Sequence, residues 1–228
     1  MKKEMTMKSI LAMSIMFSLI LVGIFYAGGL ILYGGSSLHN TDINGPVYTF
    51  GGHGELTIDL NGSEGFTRES YVEIEEVSYE YLSRKSDLII AGTVKEILPG
   101  KWNTIDGKRP HNSSNDLEWY DVIYTDVVIT VDEYLKSSSA TDEVVVRVFT
   151  GTVDGDVSTA DYEPSFQTEE KVFLYLIEDD WEYTKDLGPE HYFVTGSAQG
   201  KLTIMDDGTA VGVHGTISQE ELVEMISS

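Results

Sequence analysis

The chain has 228 residues, 41% of them hydrophobic, and a formal net charge of −23. That is apolar material for one or two modest domains, while so acidic a surface repels phosphate backbones and anionic lipid headgroups and argues against nucleic-acid binding. The absence of cysteine excludes disulfides, cysteine-ligated zinc, thiol catalysis and a lipobox anchor.

Residues 1–9 form a basic cytoplasmic tail in which Lys2, Lys3 and Lys8 outnumber Glu4. Ile10 to Tyr33 follows without a charge. As a helix rising about 1.5 Å per residue it would reach about 36 Å, slightly more than a bilayer core. A cleaved signal has a shorter apolar region, about 7 to 15 residues. Residues 10–33 therefore read as an uncleaved single-pass transmembrane anchor. The alternative is cleavage near Ala27-Gly28-Gly29 and secretion. The leading lysines put the N-terminus in the cytoplasm and the remaining chain outside the cell membrane.

Residues 34–70 read as a linker with short strands. Gly34 to Gly54 is glycine-rich, Val47 to Phe50 is a short strand, and Glu55 to Leu60 alternates into an Asn61-Gly62 turn. Asn61 and Asn112 each begin an Asn-x-Ser sequon, a candidate glycosylation site on the outer side.

Residues 71–228 carry the ectodomain. Glu75 to Ser86 has helical spacing, with acids early and Arg84-Lys85 late, as the helix dipole favours. This helix is expected to plug or cap one end of a barrel. Ser86 to Leu98 is its first strand, apolar on both faces, with Gly92 marking a bend. A polar loop, Pro99 to Glu118, leads to the long alternating strand Trp119 to Leu135, and Glu143 to Phe149 is a third strand. Gly151 to Glu170 reads as a long acidic loop. Lys171 to Ile177 is a fully buried strand. His191 to Thr195, Lys201 to Met205 and Thr209 to Val213 are strands, the last two joined by a hairpin at Asp207-Gly208. Ser218 to Glu221 is a capping box that opens a short C-terminal helix.

The blocks Asp87 to Val94, Val127 to Leu135, Val144 to Gly151, Glu170 to Leu176 and Tyr192 to Lys201 resemble a family of exported or membrane-anchored small β-barrel domains of archaea and bacteria. That family's plan is similar to the OB-like barrel of netrin and metalloproteinase-inhibitor domains. The resemblance spans residues 75–213. It implies a mainly β fold, an OB-like antiparallel barrel with one helix before its first strand, to which the capping box adds a short C-terminal helix and residues 10–33 an N-terminal transmembrane helix. It supplies no catalytic motif. Inhibitor domains of this plan begin with a free cysteine and carry disulfides, and this chain has neither.

No nucleophile elbow, metal-binding histidine pair, P-loop or dinucleotide fingerprint is present. The five histidines read as surface or turn residues. The acidic loop offers alternating oxygens at Asp154, Asp156, Ser158, Asp161 and Glu163, a candidate calcium site, although Thr159 and Ser165 occupy the EF-hand glycine and glutamate positions. Trp102, Trp119, Trp181 and several tyrosines lie in or beside loops, where exposed rings could form a platform for glycan or peptide. The expectation is a non-catalytic extracytoplasmic interaction or envelope module with an unidentified protein or glycan partner. A small envelope-polymer hydrolase using two carboxylates, and a protease-inhibitor-like module, are the alternatives.

Overall fold

The computed structural model describes residues 48–58, 64–137 and 141–227. The expected membrane segment at 10–33, the first part of the linker and Asn61 lie outside them. Among the described residues no helix is long and apolar enough to cross a membrane.

The chain is mainly β. Strands β1 (Tyr48–Ile58) and β2 (Glu64–Ile74) form an antiparallel pair. Helix α1 (Tyr79–Lys85) precedes β3 (Leu88–Ile97) and the two-residue β4 (Lys101–Trp102). β5 (Ile123–Lys136), β6 (Glu143–Val148), β7 (Gly151–Val153), β8 (Asp156–Ala160) and β9 (Lys171–Glu178) follow. β10 (Tyr192–Val194), β11 (Lys201–Ile204), β12 (Thr209–Gly212), β13 (Gly215–Ser218) and helix α2 (Gln219–Ser227) complete the order.

Five strands close into a ring. β3 pairs with β5, β5 with β6, β6 with β10, β10 with β9, and β9 with β3. All these pairs are antiparallel except β6 with β10. The interior holds Leu88, Ile90 and Val94 of β3 with Val127, Ile129, Val144, Val146, Leu174 and Val194. The alternate residues Ile89, Phe173 and Tyr175 point outward against Val77, Leu82, Leu202 and Leu222. β3 is thus buried on both faces, as its sequence requires. Three register shifts bend it along β5, and Gly92 lies against the Thr130 carbonyl, where a Cβ would come within 2.5 Å.

α1 does not plug the barrel. Leu82 packs on the ring's outer surface, and α2 lies beside it. The helix also begins later than periodicity predicts. Ser78 caps it through a bond from the Tyr81 amide, while the Gln199 side chain holds residues 75–77 out of the helix. Gln199 accepts from the Val77 amide and donates to the Glu75 carbonyl. Gly196 opens the turn carrying Gln199 with a φ of 71°, and a side chain there would strike Leu82.

The stretch read as one acidic loop contains the β7–β8 hairpin. Asp154 and Gly155 both have positive φ, 50° and 94°, and Val153 pairs with Asp156 across them. This Asp-Gly pair is a tight hairpin turn of the kind that matches strand twist. β8 then joins β2 in parallel, making a second sheet in the order β1-β2-β8-β7. Phe66, Trp102 and Ile123 fill the space between that sheet and the ring. Residues 64–70, expected in the linker, therefore belong to the packed fold.

Candidate functional site

Two ring connections meet beside the outer surface of β5 and β6: the one from β3 to β5 and the one from β9 to β10. Their meeting is set by alternation. Val127, Ile129, Val144 and Val146 face the barrel interior, so Asp126 and Arg147 face out, opposite one another in the ladder. Arg147 Nε donates to Asp126 Oδ1 at 2.7 Å and Nη2 to Oδ2 at 3.0 Å. The remaining donors reach the carbonyls of Thr184 at 3.1 Å and Leu187 at 2.9 Å. The guanidinium lies 3.8 Å over the Tyr124 ring and is fully buried. The second connection is therefore fastened across the barrel strands, covering a surface an open barrel would expose.

That connection is tied at its base by Asp179 and His191. His191 Nε2 lies 2.7 Å from Asp179 Oδ2, and Nδ1 lies 2.7 Å from the Pro189 carbonyl, with both side chains almost without solvent contact. The other Asp179 oxygen accepts from the Trp181 amide. Burial acts to raise the Asp179 carboxyl, but hydrogen bonds led by His191 outweigh it and hold the pKa below its ordinary value. His191 is thus no surface histidine.

Above this foundation the rings converge. Tyr120 and Tyr183 stack at 4.7 Å with their planes 5° apart. Trp119 meets both edge-on, at 5.6 and 5.8 Å, and tilts against Trp181 at 6.4 Å. Trp181 rests edge-on against Phe149, which packs on Phe193. Asn103 staples the two connections, donating to the carbonyls of Tyr120 and Tyr183 and accepting from the Val122 amide. Trp119 remains 44% exposed on top. The arrangement is an aromatic corner with one indole offered to solvent, a surface on which a planar or cationic group can stack.

The other ring singled out in the sequence, Trp102, is core, 1% exposed. The crevice beside it, lined by Phe66, Arg68, Asp121 and Ile123, is too tight to admit a water molecule.

The candidate calcium ligands point to different places. Asp154 is exposed at the hairpin tip. Asp156 is buried, accepting from the Phe66 amide at 2.8 Å and pairing with Arg109 at 3.2 Å. The Ser158 hydroxyl donates to the Phe149 carbonyl. Asp161 lies exposed beyond β8, its amide bonded to the Ser70 carbonyl. Burial pushes the Glu163 carboxyl up to about 7, against a hydrogen bond from the Phe149 backbone. Among the described residues no group of three or more acidic or histidine side chains is placed to hold a metal ion. Asn112 is exposed in the polar loop.

Asn103, Asp126, Arg147 and the Asp179–His191 pair did not stand out in the sequence. The signal available was one basic residue in the apolar run Val144 to Val148, facing a β5 edge that carries Asp126. No protein-family model matches the chain, and no curated protein matches it.

Proposed function

We propose that this chain is a non-catalytic interaction module, held outside the cell membrane by residues 10–33, which binds its partner on the aromatic corner built from Trp119, Tyr120, Trp181 and Tyr183. The observation that carries this reading is the half-exposed Trp119 seated on rings that are themselves fastened to the barrel through Asn103 and Arg147. An aromatic side chain fixed before contact loses little conformational freedom on binding.

The ring order supports the same place. Counting the ring strands along the chain, the third and fifth pair in parallel and the others antiparallel, the order of an OB barrel. OB folds bind ligands on their second and third strands and on the loops joining strands one to two and four to five. Here the corresponding loops are the two that carry the aromatic corner. The strand surface between them is covered by residues Thr184 and Leu187, which moves the contact to the rim.

The test is calorimetric titration of the full chain in detergent micelles with hexa-arginine and with a neutral hexasaccharide, for the native protein and Trp119→Ala. Binding of either probe that weakens at least tenfold in the variant supports the reading. No binding, or binding indifferent to the substitution, overturns it.

A further inference from the structure

Resting on that reading, we infer that the ligand of the aromatic corner is cationic: a segment of a partner protein presenting arginine or lysine side chains. The inference comes from what surrounds the exposed ring. Glu118 precedes Trp119 and Asp116 lies just before it. Asp180 and Glu182 flank Trp181, and Asp186 and Glu190 continue the same connection. All six are exposed. Lys185 is the single lysine or arginine between residues 179 and 191. Loss of solvent first, and then the Glu182 carboxylate hydrogen-bonded at the hydroxyl, raise the Tyr183 pKa, so at least one of these carboxylates lies at the aromatic surface itself.

Charge decides between ligand classes. The faces of indole and phenol rings carry negative quadrupole density, so a cation is drawn to them, and the neighbouring carboxylates draw it further. A neutral sugar gains from the rings alone, and an anionic polymer is repelled. The fold already uses the same chemistry in the layer beneath, where the Arg147 guanidinium lies over Tyr124 and pairs with Asp126. The surface offers the same two elements to solvent, an open indole at Trp119 and, in the same ring cluster, the Glu182 carboxylate at the Tyr183 hydroxyl. Arginine suits it better than lysine, because a planar guanidinium can stack on the indole while its edge donates to a carboxylate.

The experiment titrates the full chain in detergent micelles with hexa-arginine, with hexa-citrulline, which keeps the shape and loses the charge, and with the neutral hexasaccharide. Variants are Trp119→Ala, Glu118→Gln with Glu182→Gln, and Glu224→Gln. The last removes an exposed acid on α2, away from the corner. The expected result is hexa-arginine binding at least tenfold tighter than hexa-citrulline. It weakens at least tenfold in Trp119→Ala and severalfold in the Glu118 and Glu182 variant, and is unchanged in Glu224→Gln. Equal binding of arginine and citrulline overturns the inference. So does an equal loss in Glu224→Gln, since attraction would then be diffuse. If the hexasaccharide alone binds, and does so through Trp119, the cationic ligand is refuted while the aromatic binding surface stands. If nothing depends on Trp119, both fall. The paired glutamine variant changes exposed residues only, so it reads the charge even where loss of the indole loosens the corner.

Discussion

Asp126 and Arg147 are cross-strand neighbours on β5 and β6, and their bidentate pair is buried on the outside of the barrel rather than within it. The pair has two further attachments, the carbonyls of Thr184 and Leu187, so it joins strand to strand and strand to loop at once. Arg147→Met leaves the Asp126 carboxylate buried and unpaired and two carbonyls without donors. The expected cost is about 3–5 kcal/mol, the usual result of removing one partner of a buried pair. Arg147→Lys keeps the charge but not the fork, and falls between. Urea unfolding gives the stability, and near-ultraviolet circular dichroism reports the aromatic corner. A loss below about 1 kcal/mol with an unchanged aromatic spectrum contradicts this account.

Asp156 makes a simpler prediction. Its carboxylate serves the Phe66 amide and Arg109 across 90 and 47 residues of chain. It therefore ties β8 to β2 and to the long polar connection, and a calcium ion would have to displace both partners. Asp156→Ala should destabilise the protein by about 2–3 kcal/mol, through a buried amide left without its acceptor and a half-buried arginine that keeps the Ser114 hydroxyl but loses its carboxylate. Asp154→Ala at the exposed tip should fall mainly within the small cost of losing a residue suited to positive φ. Melting curves in calcium and in chelator distinguish the roles. A calcium-specific rise removed by both substitutions supports the metal reading, whereas a loss confined to Asp156→Ala in either buffer fits the structural one.

The Glu163 carboxyl carries a pH signature. Its folded pKa, about 7, stands above the 4.5 of an exposed glutamate because of burial. Between those values the folded chain holds a proton that the unfolded chain has released, so stability falls as the pH rises through the window. At about 1.4 kcal/mol per unit, reduced because the residue is only half-buried, the change amounts to about 2 kcal/mol. Glu163→Gln cannot ionise and should remove that slope, leaving the variant relatively more stable at pH 8 than at pH 5. Parallel slopes for the two proteins refute the assignment.

The barrel strands were legible because their burial is written locally. Lys171 to Glu178 is a continuous apolar run, β5 alternates, and β3 is apolar on both faces with Gly92 at its bend. The capping box was equally direct, and Ser218 and Glu221 do exchange hydrogen bonds. The hairpin at Asp154-Gly155 was masked by its own acidity, because the alternating oxygens of residues 154–163 hide the turn between β7 and β8. The start of α1 was misplaced because Gln199, over a hundred residues away, decides it. Trp119 and Trp181 were visible as loop aromatics, but nothing local distinguishes them from Trp102. What separates them is the register of β5 against β6, which puts Arg147 outside and draws the second loop over it.

The closing pair of that loop gives the last prediction. The Pro189 carbonyl can only accept, so His191 Nδ1 must carry a proton. Nε2 faces a carboxylate oxygen at 2.7 Å, and that contact also needs a proton between its atoms. The pair therefore holds one proton more than a neutral imidazole beside a carboxylate. Nitrogen NMR of His191 should show a proton on each ring nitrogen, Nδ1 facing the Pro189 carbonyl and Nε2 facing an ionised Asp179. A bare Nε2 facing an ionised Asp179 would falsify the arrangement. His191→Gln should cost about 3 kcal/mol, as for other broken buried pairs. The Asp179 carboxyl is held below its ordinary 3.8, so its contribution is fully present above that pH and is lost as the pH falls through the lower folded value. Asp179→Asn should accordingly flatten the acid limb of the stability curve. Since Asp179 also receives the Trp181 amide, the same variant should loosen the aromatic corner, visible as a red shift of tryptophan emission. A flattened acid limb with unchanged emission would separate the proton from the platform and confine the pair to stability alone.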